Sequence, residues 1–112
     1  VDTGGNTIAS GNVGAYSDIK LKDNIEVIEN AIEKVQAIRG ITYNRNDIEG
    51  NPRQTGVIAQ EVEKVLPEAV DTIEDIKNVA YGNMVGLLIE AIKEQQAQID
   101  ELREVIENAP TK

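Results

Sequence analysis

Residues 83–107 read NMVGLLIEAIKEQQAQIDELREVIE, and this stretch decides the architecture. Its first part, MVGLLIEAI, is apolar nearly all round, the pattern of a helix buried on several sides. Its second part keeps a heptad. With Val85 at position a, the a residues are Val85, Ile92, Ile99 and Ile106, and the d residues are Leu88, Gln95 and Leu102. Only Gln95 among them is polar. An a/d pattern held over roughly three heptads predicts a coiled coil across about 83–107. The competing arrangement is a helix packed onto its own domain, and from Val85 to Ile92 both can hold. Beyond Ala97 the chain has little core left to offer. A free amphipathic helix is marginal in water, so a partner helix is expected there.

Upstream, Ile25, Ile28, Ile32, Val35 and Ile38 recur at spacings of three and four. This predicts a helix over 23–39, with Asp23 and Glu26 as a capping box and Gly40 at its C-terminal cap. Glu29 and Glu33 read as solvated surface. Residues 41–45 (ITYNR) and 55–59 (TGVIA) read as the strands of a hairpin, joined by a turn from Asn46 to Gln54. In QEVEKVLP, Val62, Val65 and Leu66 share one face of a short helix that Pro67 ends. Residues 70–73 read as extended, and KNVAY (77–81) as a strand. Residues 1–16 are rich in Gly, Asn, Thr and Ser without helical period. They fit either a flexible tail or the last stretch of an upstream β-structured fibre.

Bulk properties narrow the function. A chain of 112 residues with three Tyr, no Phe and no Trp builds a modest core, and oligomerisation would supply missing buried surface. A formal charge of −9 argues against nucleic acid and against anionic membranes. No apolar run has the length of a membrane span. Neither Cys nor His occurs, which excludes disulfides, thiol nucleophiles, Cys/His zinc sites and Ser-His-Asp triads. The acidic pairs Glu61/Glu63 and Glu74/Asp75 lack the spacing of a calcium loop and read as solvated surface. No metal or cofactor is expected. VDTGGNTIASGNVG lacks the basic start and apolar centre of a signal peptide, and without an initial Met the chain reads as a piece of something longer.

The patch with chemical potential is Ser17-Asp18-Ile19-Lys20-Leu21-Lys22-Asp23-Asn24-Ile25. A Ser hydroxyl attacks only when a base takes its proton, and without His that base is Lys, Asp, Glu or a terminal amine. Lysine serves when burial or nearby positive charge favours its neutral form, and Lys20 lies close enough to Lys22 to help in that way. A Ser and a Lys this near each other are common, and on these residues alone a polar linker before a helix cap is the better explanation.

Three ordered blocks change that weighting. Ser17, Asp18, Lys20, Lys22, Asn24 and Ile25 form the first; Gly56, Ile58, Ala59, Gln60, Glu61, Val62, Pro67 and Glu68 the second; Tyr81, Leu88, Ile89, Glu90, Ala91, Ile92 and Lys93 the third. In these the chain resembles the intramolecular chaperone auto-processing domains at the C-terminus of phage endosialidases, tailspikes and tail fibres. Lys20 departs from the Arg common in that family. The resemblance implies a homotrimer that aligns three chains, assists folding of an upstream fibre, and then cuts itself off in a single turnover as a serine endopeptidase. Ser17 maps onto the nucleophile, Lys22 onto its partner and Lys20 onto an auxiliary position. The cut is expected beside Ser17, between Ser17 and Asp18, with Tyr16–Ser17 as the other bond. Residues 1–17 would be the end of the fibre or a linker, and 18–112 the chaperone domain. Assembly would take place in the host cytoplasm, with the fibre reaching the virion and this domain released.

Geometry adds a requirement. Five extended residues span roughly 17 Å, whereas a Ser–Lys hydrogen bond needs about 3 Å. The chain must turn between Ser17 and Lys22, or a neighbour must supply the lysine. The expected fold class is α+β, a small β-hairpin or sheet with packed helices and a long C-terminal helix in a trimeric coiled coil through Val85, Leu88, Ile92, Gln95, Ile99, Leu102 and Ile106. Val or Ile at a with Leu at d favours parallel dimers in simple coils. The resemblance outweighs this, since a globular part can set the symmetry. Two other readings are a trimerisation foot that never cuts and a coiled-coil adaptor for a separate partner.

Overall fold

The computed structural model describes residues 8–110. Part of the expected fibre end, residues 1–7, lies outside the described residues. From Ile8 to Ser17 the chain is exposed and forms neither helix nor strand. The fold is α+β, as the sequence predicts, with two small antiparallel sheets and one long C-terminal helix.

The helix predicted over 23–39 is corrected to a single short element, α1 (Ala31–Gln36). Asn24 and Asn30 both adopt φ of 54°, in the left-handed region that Asn tolerates better than most residues. Two such breaks stop the helix from extending towards Asp23, so the Asp23–Glu26 capping box does not form. Ile25 is exposed instead of sharing a face with Ile28 and Ile32. The C-terminal cap is Ala37, not Gly40, with the Ala37 N–H donating to the Lys34 carbonyl and the Ile38 N–H to the Val35 carbonyl. Asn30, at the N-cap, makes no side-chain capping bond. Glu94 makes it from the other end of the chain: its Oε2 accepts from Ala31 N at 2.8 Å and its Oε1 from Ile32 N at 3.0 Å. These two bonds hold the Glu94 carboxyl below the usual glutamate range, the Ile32 bond contributing most.

β1 (Ile41–Asn44) pairs with β2 (Arg53–Gly56), Ile41 opposite Gly56 and Asn44 opposite Arg53. The second strand thus begins two residues earlier than 55–59. Val57 and Ile58 leave the ladder because the Ile58 carbonyl already accepts from Glu61 N and Val62 N to open α2 (Ala59–Val65). Gly56 lies under a close approach: a Cβ there would be 2.7 Å from the Tyr81 hydroxyl, so the tyrosine ring would have to shift. Val62 and Leu66 are buried, as their shared face predicts. Pro67 both ends α2 and opens a 3-10 turn, Pro67–Ala69. β3 (Val70–Ile73) and β4 (Ile76–Val79) form a second hairpin, turned at Glu74 and Asp75, both at positive φ as a two-residue type I′ turn requires. The strand predicted at 77–81 is therefore shifted, and Tyr81–Met84 makes a 3-10 turn into α3 (Val85–Glu107).

The buried core consists of Ala31, Val62, Leu66, Ala69, Met84, Leu87 and Ala91. Leu87, Ala91 and the half-buried Glu94 recur at spacings of four and three, so one stripe of α3 faces α1. The heptad residues Val85, Leu88, Ile92, Gln95, Ile99, Leu102 and Ile106 occupy the adjacent stripe and are all exposed in the single chain. From Gln95 to Pro110 every residue is exposed. No helix among the described residues is long and apolar enough to cross a membrane.

Candidate functional site

Ser17 and Lys22 meet. The Lys22 Nζ donates to Ser17 Oγ at 2.7 Å. The turn that this needs is the 3-10 helix Ile19–Leu21, closed by Leu21 N to the Asp18 carbonyl at 3.0 Å and Lys22 N to the Ile19 carbonyl at 3.1 Å. Asp18 caps it: its backbone is extended, with φ −66° and ψ 137°, and its Oδ1 accepts from Lys20 N at 2.9 Å. A short acceptor side chain at this position is the standard way to satisfy a free N–H at a helix start. The geometry therefore meets the requirement for a turn within one chain, without a neighbour's lysine. Lys20 lies in the same turn and donates through its backbone, while its ammonium enters no ion pair among the described residues.

The whole segment stands in water. Tyr16, Ile19, Leu21, Ile25 and Val27 are exposed, and the Ser17–Lys22 hydrogen bond is itself exposed. The heptad residues lie on α3, separate from this patch in sequence, and all but Gln95 share with it the property of being apolar and uncovered.

Two polar clamps escaped the sequence reading. One is the Glu94 cap on α1. The other joins α2 to the chain after α1: Arg39 Nε and Nη2 donate to Glu61 Oε2 at 2.9 and 2.6 Å, and Arg39 N donates to Oε1 at 3.1 Å. The Arg39 side-chain bonds, then its backbone N–H, hold the Glu61 carboxyl below the usual range. Glu61 is thus a structural clamp within the second sequence block. Neither clamp has a short-range signal, since the partners lie 62 or 63 and 22 residues apart. Asn24 and Asn30 inside an apparent helix were the one visible sign that α1 starts late.

Residues 17–71 match a peptidase family model described as chaperone of endosialidase, and the match begins at Ser17. Through those residues the chain belongs to the chaperone of endosialidase family. Among curated proteins, it is 38% identical over 99 residues to a long tail fiber protein of Enterobacteria phage K3, covering 81% of this chain and 8% of that protein. A long tail fiber protein of Enterobacteria phage Ox2 is 38% identical over 96 residues, covering 78% of this chain and 38% of the relative. The chain spans less than a tenth of the first of these relatives.

Proposed function

We propose that this chain is a C-terminal intramolecular chaperone, with residues 18–112 as the working domain, for a phage fibre that precedes it in the same polypeptide. Three copies associate through the heptad face of α3, align their upstream segments, and are then released by self-cleavage beside Ser17. The observation that carries the reading is the 2.7 Å Lys22–Ser17 hydrogen bond at the first residue of the family match. Similarity to long tail fiber proteins supports the fibre as client. On this reading the work is done in the host cytoplasm and the fibre goes to the virion.

The chemistry needs only this chain and water. Lys22 Nζ takes the Ser17 Oγ proton as Oγ bonds to the scissile carbonyl carbon. The C–N bond breaks, its electron pair stays on nitrogen, and the lysine ammonium returns the proton there. Water then hydrolyses the ester and restores the hydroxyl. Ring size bears on which bond is cut. Attack on the Tyr16 carbonyl closes a five-membered ring, whereas attack on the carbonyl of Ser17 itself closes a strained four-membered one. Within a single chain this favours Tyr16–Ser17 over the Ser17–Asp18 bond expected from the sequence.

The test is the intact mass of the chain expressed with its upstream segment. Release of a piece beginning at Ser17 supports cleavage at Tyr16–Ser17, and one beginning at Asp18 supports the other bond. Ser17→Ala should remove cleavage and leave folding intact, because an exposed hydroxyl contributes little to stability. Cleavage at the same bond in that variant would exclude Ser17 as nucleophile, and an uncut wild type would leave a trimerisation foot.

A further inference from the structure

A groove of about 760 Å³ runs between the chain at Glu26–Glu29 and the end of α2 with its following turn. Val27, Ile28, Val65 and Leu66 give it an apolar strip within a lining that is otherwise mostly polar. Its rim carries Glu26, Glu29 and Glu68 against one cation, Lys34. None of these three carboxylates has an ion-pair partner among the described residues. The segment Ile19-Lys20-Leu21-Lys22 has the opposite character. It alternates apolar and basic residues, Ile19 and Leu21 are 73% and 68% exposed, and neither lysine has a carboxylate partner among the described residues. The segment does not enter the groove of its own chain, whose wall begins only four residues further on.

We infer that this groove receives the Ile19–Lys22 segment of a second copy of the chain. Ile19 and Leu21 cover this strip, and Lys20 faces the acidic residues beside it, while Lys22 stays on Ser17. The occupant follows from complementarity on both counts: an apolar strip beside unpaired carboxylates meets the apolar side chains of Ile19 and Leu21 on either side of the unpaired Lys20 ammonium. Burying Ile19 and Leu21 also removes two of the largest exposed aliphatic side chains next to Ser17. The inference rests on the proposed self-association. It adds that the Ser17–Lys22 turn sits at the contact between copies, so that docking covers it. On either choice of scissile bond, Ile19–Lys22 stays with the chaperone domain.

The chain has no cysteine, so introduced thiols report contacts without background. One copy carrying Leu21→Cys is co-expressed with another carrying either Val65→Cys or Glu68→Cys. Leu21 and Glu68 are exposed, which keeps that pair safe for folding. Mild oxidation should link the two copies at least tenfold more than a control pair of Leu21→Cys with Ile73→Cys, at the exposed tip of the second hairpin. Independently, Lys20→Glu and Glu68→Lys should each weaken assembly and together restore it. Sedimentation and cleavage of the wild-type chain are measured alongside. A wild type that trimerises and cuts, with cross-linking no better than control for either pair, overturns this docking and leaves the chaperone reading standing. A monomeric wild type overturns both. Cross-links found only within a chain carrying both thiols would return the segment to its own groove and equally refute the inference.

Discussion

Replacing Ile99 and Leu102 by Asp tests whether the uncovered face of α3 holds the proposed trimer together. The two are successive a and d residues beyond Glu94, where α3 has left its own core. They are 43% and 62% exposed, so together they offer about one whole aliphatic side chain per copy for burial. Complete burial of one such side chain is worth about 1.5–3 kcal/mol, so three copies lose roughly 5–9 kcal/mol of apolar contact. At about 1.4 kcal/mol per tenfold, the association constant falls by roughly three to six powers of ten. Six carboxylates brought together at the coil axis add desolvation and repulsion in the same direction. Sedimentation equilibrium over a range of concentrations should show trimer for the wild type and monomer for the double variant. Circular dichroism should show the globular part still folded. The fraction cleaved, measured by mass on the same samples, should fall with the trimer although Ser17 and Lys22 are untouched. A double variant that sediments like the wild type refutes the coiled coil. A monomer that still cuts at the wild-type rate refutes assembly control of the cut.

Lys22→Ala should stop or greatly slow cleavage, since no His can replace it, and Lys20→Ala should slow it less; the opposite order, read by the rate of product formation, would move the base to Lys20. Leu87→Ala removes a fully buried side chain from the α1–α3 contact, for a loss of about 2–5 kcal/mol and a fall of roughly 8 °C or more in thermal midpoint; an unchanged melt would contradict the packing. Glu94 has its carboxyl pKa lowered by the Ile32 and Ala31 N–H groups, so its contribution is complete above the ordinary glutamate range and is lost as pH falls through the lowered value. The protection of the Ala31 and Ile32 amides, measured against their intrinsic exchange rate at each pH, should fall in acid, and Glu94→Gln should lower it already at neutral pH; protection in the variant equal to wild type would remove Glu94 from the cap.

The long helix, the first hairpin and the short helix at Ala59–Val65 were legible because each rests on a local signal. Val62 and Leu66 share a face by spacing alone, and the turn before β2 is written in Gly50, Asn51 and Pro52, although Arg53 and Gln54, read as part of it, belong to the strand. The start of α1 was not legible. Ile25 and Ile28 continue the period of three and four, and periodicity cannot see the left-handed backbone at Asn24 and Asn30 that cuts the helix short. The second hairpin was only half seen, since Glu74-Asp75 lacks the Gly that usually marks a type I′ turn. The Ser17–Lys22 pair was legible as residue types, yet its geometry depended on the three-residue turn at Ile19–Leu21, which Asp18 caps. Glu94 and Glu61 were invisible as clamps because their partners lie far along the chain.

That three-residue turn bears on how the proposed cut would be controlled. Ser17 and Lys22 reach hydrogen-bonding distance inside one chain, through contacts no further apart than Asp18 and Lys22. Assembly is therefore not needed to bring the two groups together. What a single chain lacks is cover: the turn lies in water, flanked by exposed Tyr16, Ile19 and Leu21. A lysine acts as a base in its neutral form, and removing water favours that form. Excluding water from the turn also strengthens every dipole aimed at the developing oxyanion. A partner that covers Ile19 and Leu21 would supply both effects in one event. Control by assembly would then act through desolvation of a pair already formed, and it would be lost in any variant that leaves the turn intact but keeps the copies apart.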